Sequence, residues 1–157
     1  MVDLQEMGKQ AVAAKYLLQK TDTERKNEAL KRAAQELIAK EAAILQANEK
    51  DVSLAEANGM SPGLVDRLKL TQSRIEAMAE GLRQIADLED PIGEILEQFD
   101  RPNGLIIKKK RVPLGVIGII YESRPNVTAD AFGLCFKSGN AVILKGGSDA
   151  MHSNQAI

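Results

Sequence analysis

The sequence predicts an α/β fold with helices first, then a β-hairpin, then one βαβ unit of a parallel sheet. Three observations support this prediction. Apolar residues recur at helical spacing through residues 3–87. An Asn-Gly pair then separates two strand-like segments, 92–101 and 105–112. Finally, two apolar runs, 116–120 and 141–144, flank an amphipathic segment, which is the order of a βαβ unit.

The first half of the chain is predicted to consist of helices with recognisable ends. A first helix covers residues 3–19, and Thr21-Asp-Thr-Glu24 has the capping-box pattern that opens a second. The apolar face of that long helix drifts near Lys40, which indicates a break, and Ala57-Asn-Gly59 ends it. The remaining predicted helices are a short turn at Leu64–Leu68 and a helix capped by Thr71 that runs to about Asp87.

The predicted hairpin joins its two strands through Arg101-Pro-Asn-Gly104 and carries a basic run, Lys108–Arg111, on the second strand. Such a run is either an anion or nucleic-acid patch or a solvated strand face that protects a sheet edge. The chain has 21 basic and 22 acidic residues, and this balance favours the solvated face.

The βαβ unit is predicted around a helix whose apolar face includes Val127, Ala131, Leu134 and Cys135. Neither apolar run alternates with polar residues, as is typical of parallel strands buried on both faces. Ligands of parallel sheets bind beyond the carboxyl ends of the strands. The loops there are Glu122-Ser-Arg-Pro-Asn126 and Lys145-Gly-Gly-Ser148.

The side chains of these two loops allow both functional and structural roles. Asn126 can donate its amide N–H to an oxyanion or cap the helix that follows. Arg124 can hold a phosphate or carboxylate, or form a surface ion pair. Lys145 can reach a ribose hydroxyl or a phosphate, or stay solvated. Ser148 is predicted to open a helix whose N-terminus favours anions. The residues alone leave these alternatives open.

Composition and missing motifs exclude several classes of function. There is no P-loop, and no G-x-G-x-x-G follows a strand. A net charge of −1 gives no reason to expect a nucleic-acid or membrane partner. One cysteine and one histidine allow no internal disulfide and no Cys/His metal cluster. Without a signal peptide or a membrane-spanning run, we expect a protein of the reducing cytoplasm.

Several motifs carry a resemblance to a known family. Pro113-Leu-Gly-Val-Ile-Gly-Ile-Ile120, Asn126 and Ser138-Gly-Asn-Ala-Val-Ile-Leu-Lys145 resemble the aldehyde dehydrogenase superfamily. The loops Tyr121-Glu-Ser-Arg-Pro-Asn126 and Lys145-Gly-Gly-Ser148 narrow this to the N-terminal part of the gamma-glutamyl phosphate reductase (glutamate-5-semialdehyde dehydrogenase) family. Further matching segments are Ala47-Asn48…Asp51, Asp66-Arg-Leu68 and Arg74-Ile-Glu-Ala-Met-Ala-Glu-Gly-Leu-Arg83.

The resemblance implies an activity, a cofactor and roles for the loop residues. The family reduces L-glutamate 5-phosphate with NADPH to L-glutamate 5-semialdehyde and phosphate, in proline biosynthesis. A cysteine thiolate attacks the acyl phosphate, and hydride then reduces the thioester. By resemblance, Asn126 is catalytic as part of the oxyanion hole, and Lys145, Gly146 and Ser148 bind the NADPH. A substrate-binding role for Arg124, toward phosphate or carboxylate, is our hypothesis.

The resemblance also implies a domain plan. The chain would be part of a larger, homo-oligomeric enzyme with a small-molecule substrate. Residues 1–90 would be the helical part of the cofactor domain, 91–112 a hairpin of the small oligomerisation domain, and 113–157 the start of a Rossmann-like nucleotide-binding sheet. The chain stops inside the helix after Ser148, so we expect it to be incomplete.

The nucleophile of the family is expected to lie outside this chain. Cys135 falls mid-helix on the apolar face and is interpreted as a core residue, since a reactive thiol needs an exposed, electropositive site. His152 has no evident partner and is expected at the surface. The chain alone is thus expected to be inactive. Two alternatives remain: another aldehyde or acyl-CoA reductase of the superfamily, or a non-catalytic nucleotide-binding or oligomerisation fragment.

Overall fold

The computed structural model describes residues 3–157, which form seven α-helices and two separate two-stranded sheets. In chain order the elements are α1 (Leu4–Leu18), α2 (Thr23–Ala39), α3 (Glu41–Ala57), α4 (Pro62–Leu68), α5 (Gln72–Asp87), β1 (Ile95–Asp100), β2 (Ile106–Lys110), β3 (Val116–Ile120), α6 (Asn126–Lys137), β4 (Ala141–Lys145), a 3₁₀ turn (Ser148–Ala150) and α7 (Met151–Ala156). The predicted order of helices, hairpin and βαβ unit is confirmed. No helix within residues 3–157 is long and apolar enough to cross a membrane.

Side chains cap α2 and α5, and the predicted cap of α2 needs one correction. Lys40 separates α2 from α3 as predicted, and the Thr71 side chain caps α5. The predicted capping box at Thr21 is wrong by one residue. Asp22 caps α2 and accepts a hydrogen bond from Arg25 N at 2.8 Å, whereas the Thr21 hydroxyl donates to Leu17 O at 3.1 Å. A carboxylate at this position also interacts favourably with the helix dipole.

The main hydrophobic core lies where α2, α5 and α6 pack together, with contributions from α3 and Leu70. Its buried members are Leu30, Ala34, Leu37, Ile44, Leu70, Ile75, Met78, Ala79, Leu82, Ile85, Ala86 and Ala129. Gly133 allows α6 to approach α5 closely. A Cβ at that position would lie 2.7 Å from Leu82 Cδ2 and 2.9 Å from Ile85 Cδ1, so a side chain there would require these two core side chains to shift.

A buried polar junction ties the start of α2 to the ends of α5 and α6. Lys26 is 2 % exposed, forms an ion pair with Asp90 and donates to Lys137 O at 3.1 Å. The Lys137 ammonium in turn donates to Asn27 Oδ1 at 2.6 Å and to Ala86 O at 2.7 Å. Lys26 is thus ion-paired, and both buried ammonium groups have hydrogen-bond acceptors, which offset part of the cost of burying their charge.

The strands of the hairpin are exposed to solvent. β1 and β2 are antiparallel and every residue in them is exposed, and Lys109 and Arg111 form ion pairs with Glu97 and Glu94 at 3.3 and 3.0 Å. These pairs favour the solvated-face interpretation of the basic run.

β3 and β4 are parallel, in register from Val116↔Ala141 to Ile120↔Lys145. The prediction that both strands are buried on both faces is wrong for this chain. Ile120 is 80 % exposed and β4 is only partly covered, because within residues 3–157 this sheet has two strands and its helical neighbours cover it incompletely.

Candidate functional site

The structure brings the two predicted ligand loops together at the carboxyl edge of the parallel pair. Ile120 is the last residue of β3 and pairs with Lys145, the last residue of β4. Tyr121 N then donates to Lys145 O at 3.1 Å. Residues 121–126 and 145–148 therefore leave the sheet side by side, as expected for a parallel βαβ unit.

The loop after β3 has a fixed backbone and exposed functional side chains. Pro125 is fully buried, Arg124 N donates to Glu122 O at 2.8 Å, and Val127 N donates to Arg124 O at 3.1 Å. Asn126 is the first residue of α6, and no side chain caps that helix. The N-cap interpretation of Asn126 is therefore wrong. Its exposed amide donates to Asp130 Oδ2 at 3.3 Å, which leaves its second N–H available to a ligand.

Arg124 and Asn126 line a cavity of about 420 Å³, here called the cationic cavity. Its opposite wall comes from α4, α5 and the connection between them. The lining side chains there and on α6 are Asp66, Arg67, Lys69, Leu70, Arg74, Ala77, Met78 and Asp130. Four of the lining residues are basic and two are acidic. The sequence prediction missed Arg67 and Lys69, which lie more than fifty residues before Arg124.

Hydrogen bonds within the cationic cavity leave three basic side chains without protein partners. Both guanidinium-to-carboxylate contacts of Arg74 with Asp66 are 3.2 Å, and Arg74 also donates to Lys69 O at 2.5 Å. Among residues 3–157, the side chains of Arg67, Lys69 and Arg124 form no hydrogen bond or ion pair. The cavity therefore carries unneutralised positive charge, which suits a phosphate or carboxylate ligand.

Lys145 and Gly146 line a second space of about 420 Å³, here called the lysine cavity. Its other lining residues are Tyr121, Thr128, Leu144, Gly147, Met151, Asn154 and Gln155. A Cβ on Gly146 would overlap the Asn154 amide and lie 3.1 Å from Tyr121 Cζ, so only glycine fits this loop as packed. The ammonium, hydroxyl and amide groups at this cavity match the hydroxyls and phosphates of a dinucleotide, so the donor set fits such a cofactor.

Ser148 faces a third space of about 460 Å³, here called the serine cavity, and does not share the lysine cavity with Lys145. The prediction that Ser148 opens a helix with an anion-binding N-terminus is wrong. Ser148 begins a 3₁₀ turn, no side chain caps it, and α7 starts only at Met151. The first N–H groups of α7 are already bonded to a carboxylate from α3, so they are not available to a ligand.

That carboxylate belongs to a buried group, here called the α3 cluster, made of Asn48, Asp51 and Ser153. Asp51 is 2 % exposed and accepts from Ser153 N at 2.7 Å and from Ser153 Oγ at 2.6 Å. Asn48 donates to Leu68 O at 2.9 Å and to Ser153 Oγ at 3.0 Å, and accepts from Leu70 N at 2.7 Å. The cluster thus joins α3 to α7 and to the segment after α4.

His152 lies at the surface as expected, but the α3 cluster supplies the partner that the sequence did not show. His152 is about half-exposed, but its Nδ1 lies 2.6 Å from Asp51 Oδ1 and its backbone N donates to the same oxygen. Burial by itself raises the pKa of Asp51, and the hydrogen bonds from Ser153 and His152 outweigh it and hold that pKa below 3.8. One sequence signal was available: Asn48 and Asp51 lie on the face of α3 that also carries Ile44 and Ala55.

Cys135 is confirmed as a core residue. It is 6 % exposed, and burial raises the pKa of its thiol, so it lacks the thiolate character of a nucleophile. Within residues 3–157, no group of three or more His, Cys, Asp or Glu side chains could hold a metal ion.

Comparison with known proteins identifies relatives of this chain. No protein-family model matches it. The gamma-glutamyl phosphate reductase of Geobacillus sp. (strain WCH70) is 62 % identical over 135 residues, which are 86 % of this chain and 33 % of that protein. The crystal structure of gamma-glutamyl phosphate reductase from Thermotoga maritima superposes with a TM-score of 0.97 at 44 % identity, over 99 % of this chain and 37 % of that chain. The predicted resemblance is confirmed, and this chain spans about a third of the length of such relatives.

A more distant structure supports the fold alone. A putative aldehyde dehydrogenase from Bacillus subtilis has a TM-score of 0.65 at 20 % identity, over 93 % of this chain and 30 % of that chain. The predicted aldehyde-dehydrogenase-like fold is therefore confirmed. By their names, the relatives of this chain are oxidoreductases.

Proposed function

We propose that this chain is the N-terminal part of a gamma-glutamyl phosphate reductase, which reduces L-glutamate 5-phosphate with NADPH to L-glutamate 5-semialdehyde and phosphate. One observation carries the proposal: a chain similar over nearly its whole length to such reductases places Arg124 and Asn126 in the wall of the cationic cavity. The substrate has a phosphate and a carboxylate, and both are anions that this cavity would attract.

Asn126 is assigned to the oxyanion hole. Its side-chain amide is exposed at the cavity, and one N–H is free of protein partners among residues 3–157. The buried Pro125 and the start of α6 hold the backbone of this residue, so the amide is positioned before the substrate arrives. A preorganised donor stabilises the negative charge that develops on the carbonyl oxygen during nucleophilic attack.

Arg124 is assigned to substrate binding, two residues from the oxyanion donor. A guanidinium presents paired N–H donors that match the oxygens of phosphate or carboxylate. Arg124 lines the same cavity as Asn126, and its side chain is exposed there. It would therefore hold an anionic end of the substrate while Asn126 contacts the reacting carbonyl.

Lys145, Gly146 and Ser148 are assigned to the cofactor. NADPH supplies the hydride when bound. Lys145 would bind a ribose hydroxyl or a phosphate in the lysine cavity, and Gly146 keeps that loop close to Tyr121 and Asn154. Ser148 presents its hydroxyl to the neighbouring serine cavity, on the other side of Gly147, so these residues would contact different parts of one extended ligand.

The nucleophilic cysteine is proposed to lie outside these 157 residues. The only cysteine here, Cys135, is buried on α6 with a raised thiol pKa. This chain alone would therefore bind ligands without turning them over.

The domain plan is also a proposal: residues 1–90 and 113–157 would belong to the cofactor domain, and 91–112 to a small oligomerisation domain of a cytoplasmic homo-oligomer. The exposed apolar side chains of the hairpin support it, since such a surface favours contact with another protein surface. Those residues are Ile95, Leu96, Phe99, Leu105, Ile106 and Ile107.

The test is an activity assay on the full-length protein that contains this chain. In the reverse direction, glutamate 5-semialdehyde, NADP⁺ and inorganic phosphate should yield NADPH. Asn126→Ala should lower kcat about 10²- to 10³-fold, as loss of one oxyanion donor does. Asn58→Ala, which removes an exposed amide at the end of α3, is the matched control and should leave kcat unchanged.

Two outcomes would contradict the proposal. A wild-type protein that forms no NADPH under these conditions does not have the activity. If Asn126→Ala has the wild-type kcat, Asn126 is not part of the oxyanion hole.

A further inference from the structure

We propose that Arg67 and Arg124 together form a phosphate-binding site in the wall between the cationic cavity and the serine cavity. The site would hold the phosphate group of the acyl phosphate and, in the reverse reaction, inorganic phosphate. The source of the phosphate rests on the proposed function, whereas the binding of phosphate rests on the cavity itself.

The cationic cavity and the serine cavity share two lining residues, Arg67 and Arg124. Arg67 comes from α4 and Arg124 from the loop after β3, and both line the cationic cavity and the serine cavity. None of the other residues between 3 and 157 lines both. Asn126 lines the first cavity and Ser148 the second, so the two arginines belong to the boundary between the cavity of the proposed oxyanion donor and the cavity of the proposed cofactor loop.

The distribution of carboxylates favours an anion on the side of the cationic cavity. There, Asp66 is bonded to Arg74 and Asp130 accepts from Asn126, so both carboxylates have partners. On the other side, Glu122 and Asp149 also line the serine cavity and would repel a dianion. The phosphate would therefore lie beside Asn126 and Lys69, where the reacting carbonyl is proposed to bind.

The backbone that carries Arg67 is held from two directions. Asn48 bonds to the backbone of Leu68 and Leu70, and Arg74 bonds to the backbone of Lys69. Asn48 is buried, and the Leu68 side chain is fully buried in a second small core cluster. Arg67 and Lys69 thus extend from a fixed segment, which lowers the entropy cost of binding a ligand between them and Arg124.

A phosphate bound there would act in the chemical step. When a thiolate attacks the carbonyl carbon of the acyl phosphate, a C–S bond forms and the C–O bond to the phosphate group breaks. Inorganic phosphate leaves with the electron pair of that bond. Two arginines bound to its oxygens would stabilise the negative charge that accumulates on the leaving group.

The experiment varies inorganic phosphate in the reverse reaction of the full-length protein. Arg67→Ala and Arg124→Ala should each raise the KM for phosphate about 10- to 100-fold, the usual effect of losing hydrogen bonds to a charged group. The KM for NADP⁺ should stay within about twofold of the wild-type value, a change too small to reflect a lost charged contact. Arg83→Ala is the matched control, because Arg83 is a partly exposed arginine outside both cavities whose partner is Glu80 on the same helix.

Two outcomes would overturn the proposal. An unchanged KM for phosphate in both variants overturns the site. A raised KM for NADP⁺ with an unchanged KM for phosphate would assign the arginines to the 2′-phosphate of the cofactor and overturn the substrate assignment.

A second measurement separates this inference from the proposed function. Titration calorimetry with inorganic phosphate alone should show binding to the wild-type protein and to Arg83→Ala, and none to a double variant Arg67→Ala/Arg124→Ala that keeps the wild-type circular dichroism spectrum. This measurement needs no turnover, so it tests the site even in a protein without reductase activity. Equal phosphate affinity in the wild type and the double variant would overturn the inference.

Discussion

The α3 cluster and the cationic cavity are both polar, but the side chains of the cluster are hydrogen-bonded to one another, whereas basic side chains of the cavity have no protein partner among the described residues. In the α3 cluster, Asn48, Asp51 and Ser153 are at most 2 % exposed, and every buried side-chain oxygen or nitrogen within residues 3–157 has a partner. In the cationic cavity, Arg67 and Arg124 are exposed and have none there.

The difference separates polar groups that hold the fold from those available to a ligand. A buried polar group without a partner costs free energy, so the members of the α3 cluster satisfy one another. An exposed guanidinium is solvated by water and can exchange that water for an anion at little cost. Removing a cluster residue should therefore change stability, and removing a cavity residue should change binding.

The largest expected effect on stability comes from Asp51→Ala. The substitution leaves Ser153 N and Ser153 Oγ buried without their acceptor and should lower the free energy of unfolding by about 3 kcal/mol. Urea denaturation of the full-length protein, followed by circular dichroism, measures the change. Arg67→Ala is the matched comparison and should stay within about 0.5 kcal/mol of the wild type. Equal losses of unfolding free energy in Asp51→Ala and Arg67→Ala would contradict the distinction between residues that stabilise the fold and residues that bind a ligand.

The pH dependence sharpens the comparison. The folded-state pKa of Asp51 lies below 3.8, so its carboxylate contributes stability that is fully present above pH 3.8 and is lost as the pH falls through the folded pKa. The stability difference between the wild type and Asp51→Asn should therefore shrink as the pH falls below about 3.8. Urea midpoints measured from pH 3 to pH 7 test this, and a difference that grows on acidification would contradict it.

The smallest effect is expected at Cys135, which is neither a cluster nor a cavity residue. Cys135→Ala should cost about 1 kcal/mol of stability, because a small buried apolar group is lost. Its kcat in the full-length protein should equal that of the wild type, and the wild-type thiol should react slowly with a disulfide reagent until the protein is unfolded. If a folded Cys135→Ala variant lost turnover, the result would identify this thiol as the nucleophile and contradict its assignment to the core.

Local patterns were enough to predict most of the fold. The break at Lys40, the cap at Thr71, the hairpin and the parallel pair all depend on residues near one another in sequence, and all are confirmed. The choice of Asp22 over Thr21 as the cap of α2 depends on which of two adjacent side chains faces the helix N–H groups. The burial of β3 was overestimated, because burial depends on neighbours that the run of apolar residues does not specify.

The candidate site could be predicted only where it follows a strand directly. Arg124, Asn126 and Lys145 follow β3 or end β4, and the rule for parallel sheets located them. Arg67 comes from α4, and the partners Asp51 and His152 are 101 residues apart, so only the folded chain shows these contacts. An asparagine and an aspartate on the apolar face of a helix were the available sign that α3 forms buried polar contacts.

The contacts of Asn48 on α3 have a consequence for ligand recognition. The amide of Asn48 contacts both the backbone of Leu68 and the hydroxyl of Ser153, so one rigid helix sets the separation between the Arg67 segment and the turn that begins at Ser148. α3 thereby acts as a spacer that sets the distance between the two segments that we propose contact the ligand. A change in its side chains would alter the geometry of both loops together, although none of its residues lines the cationic or the serine cavity.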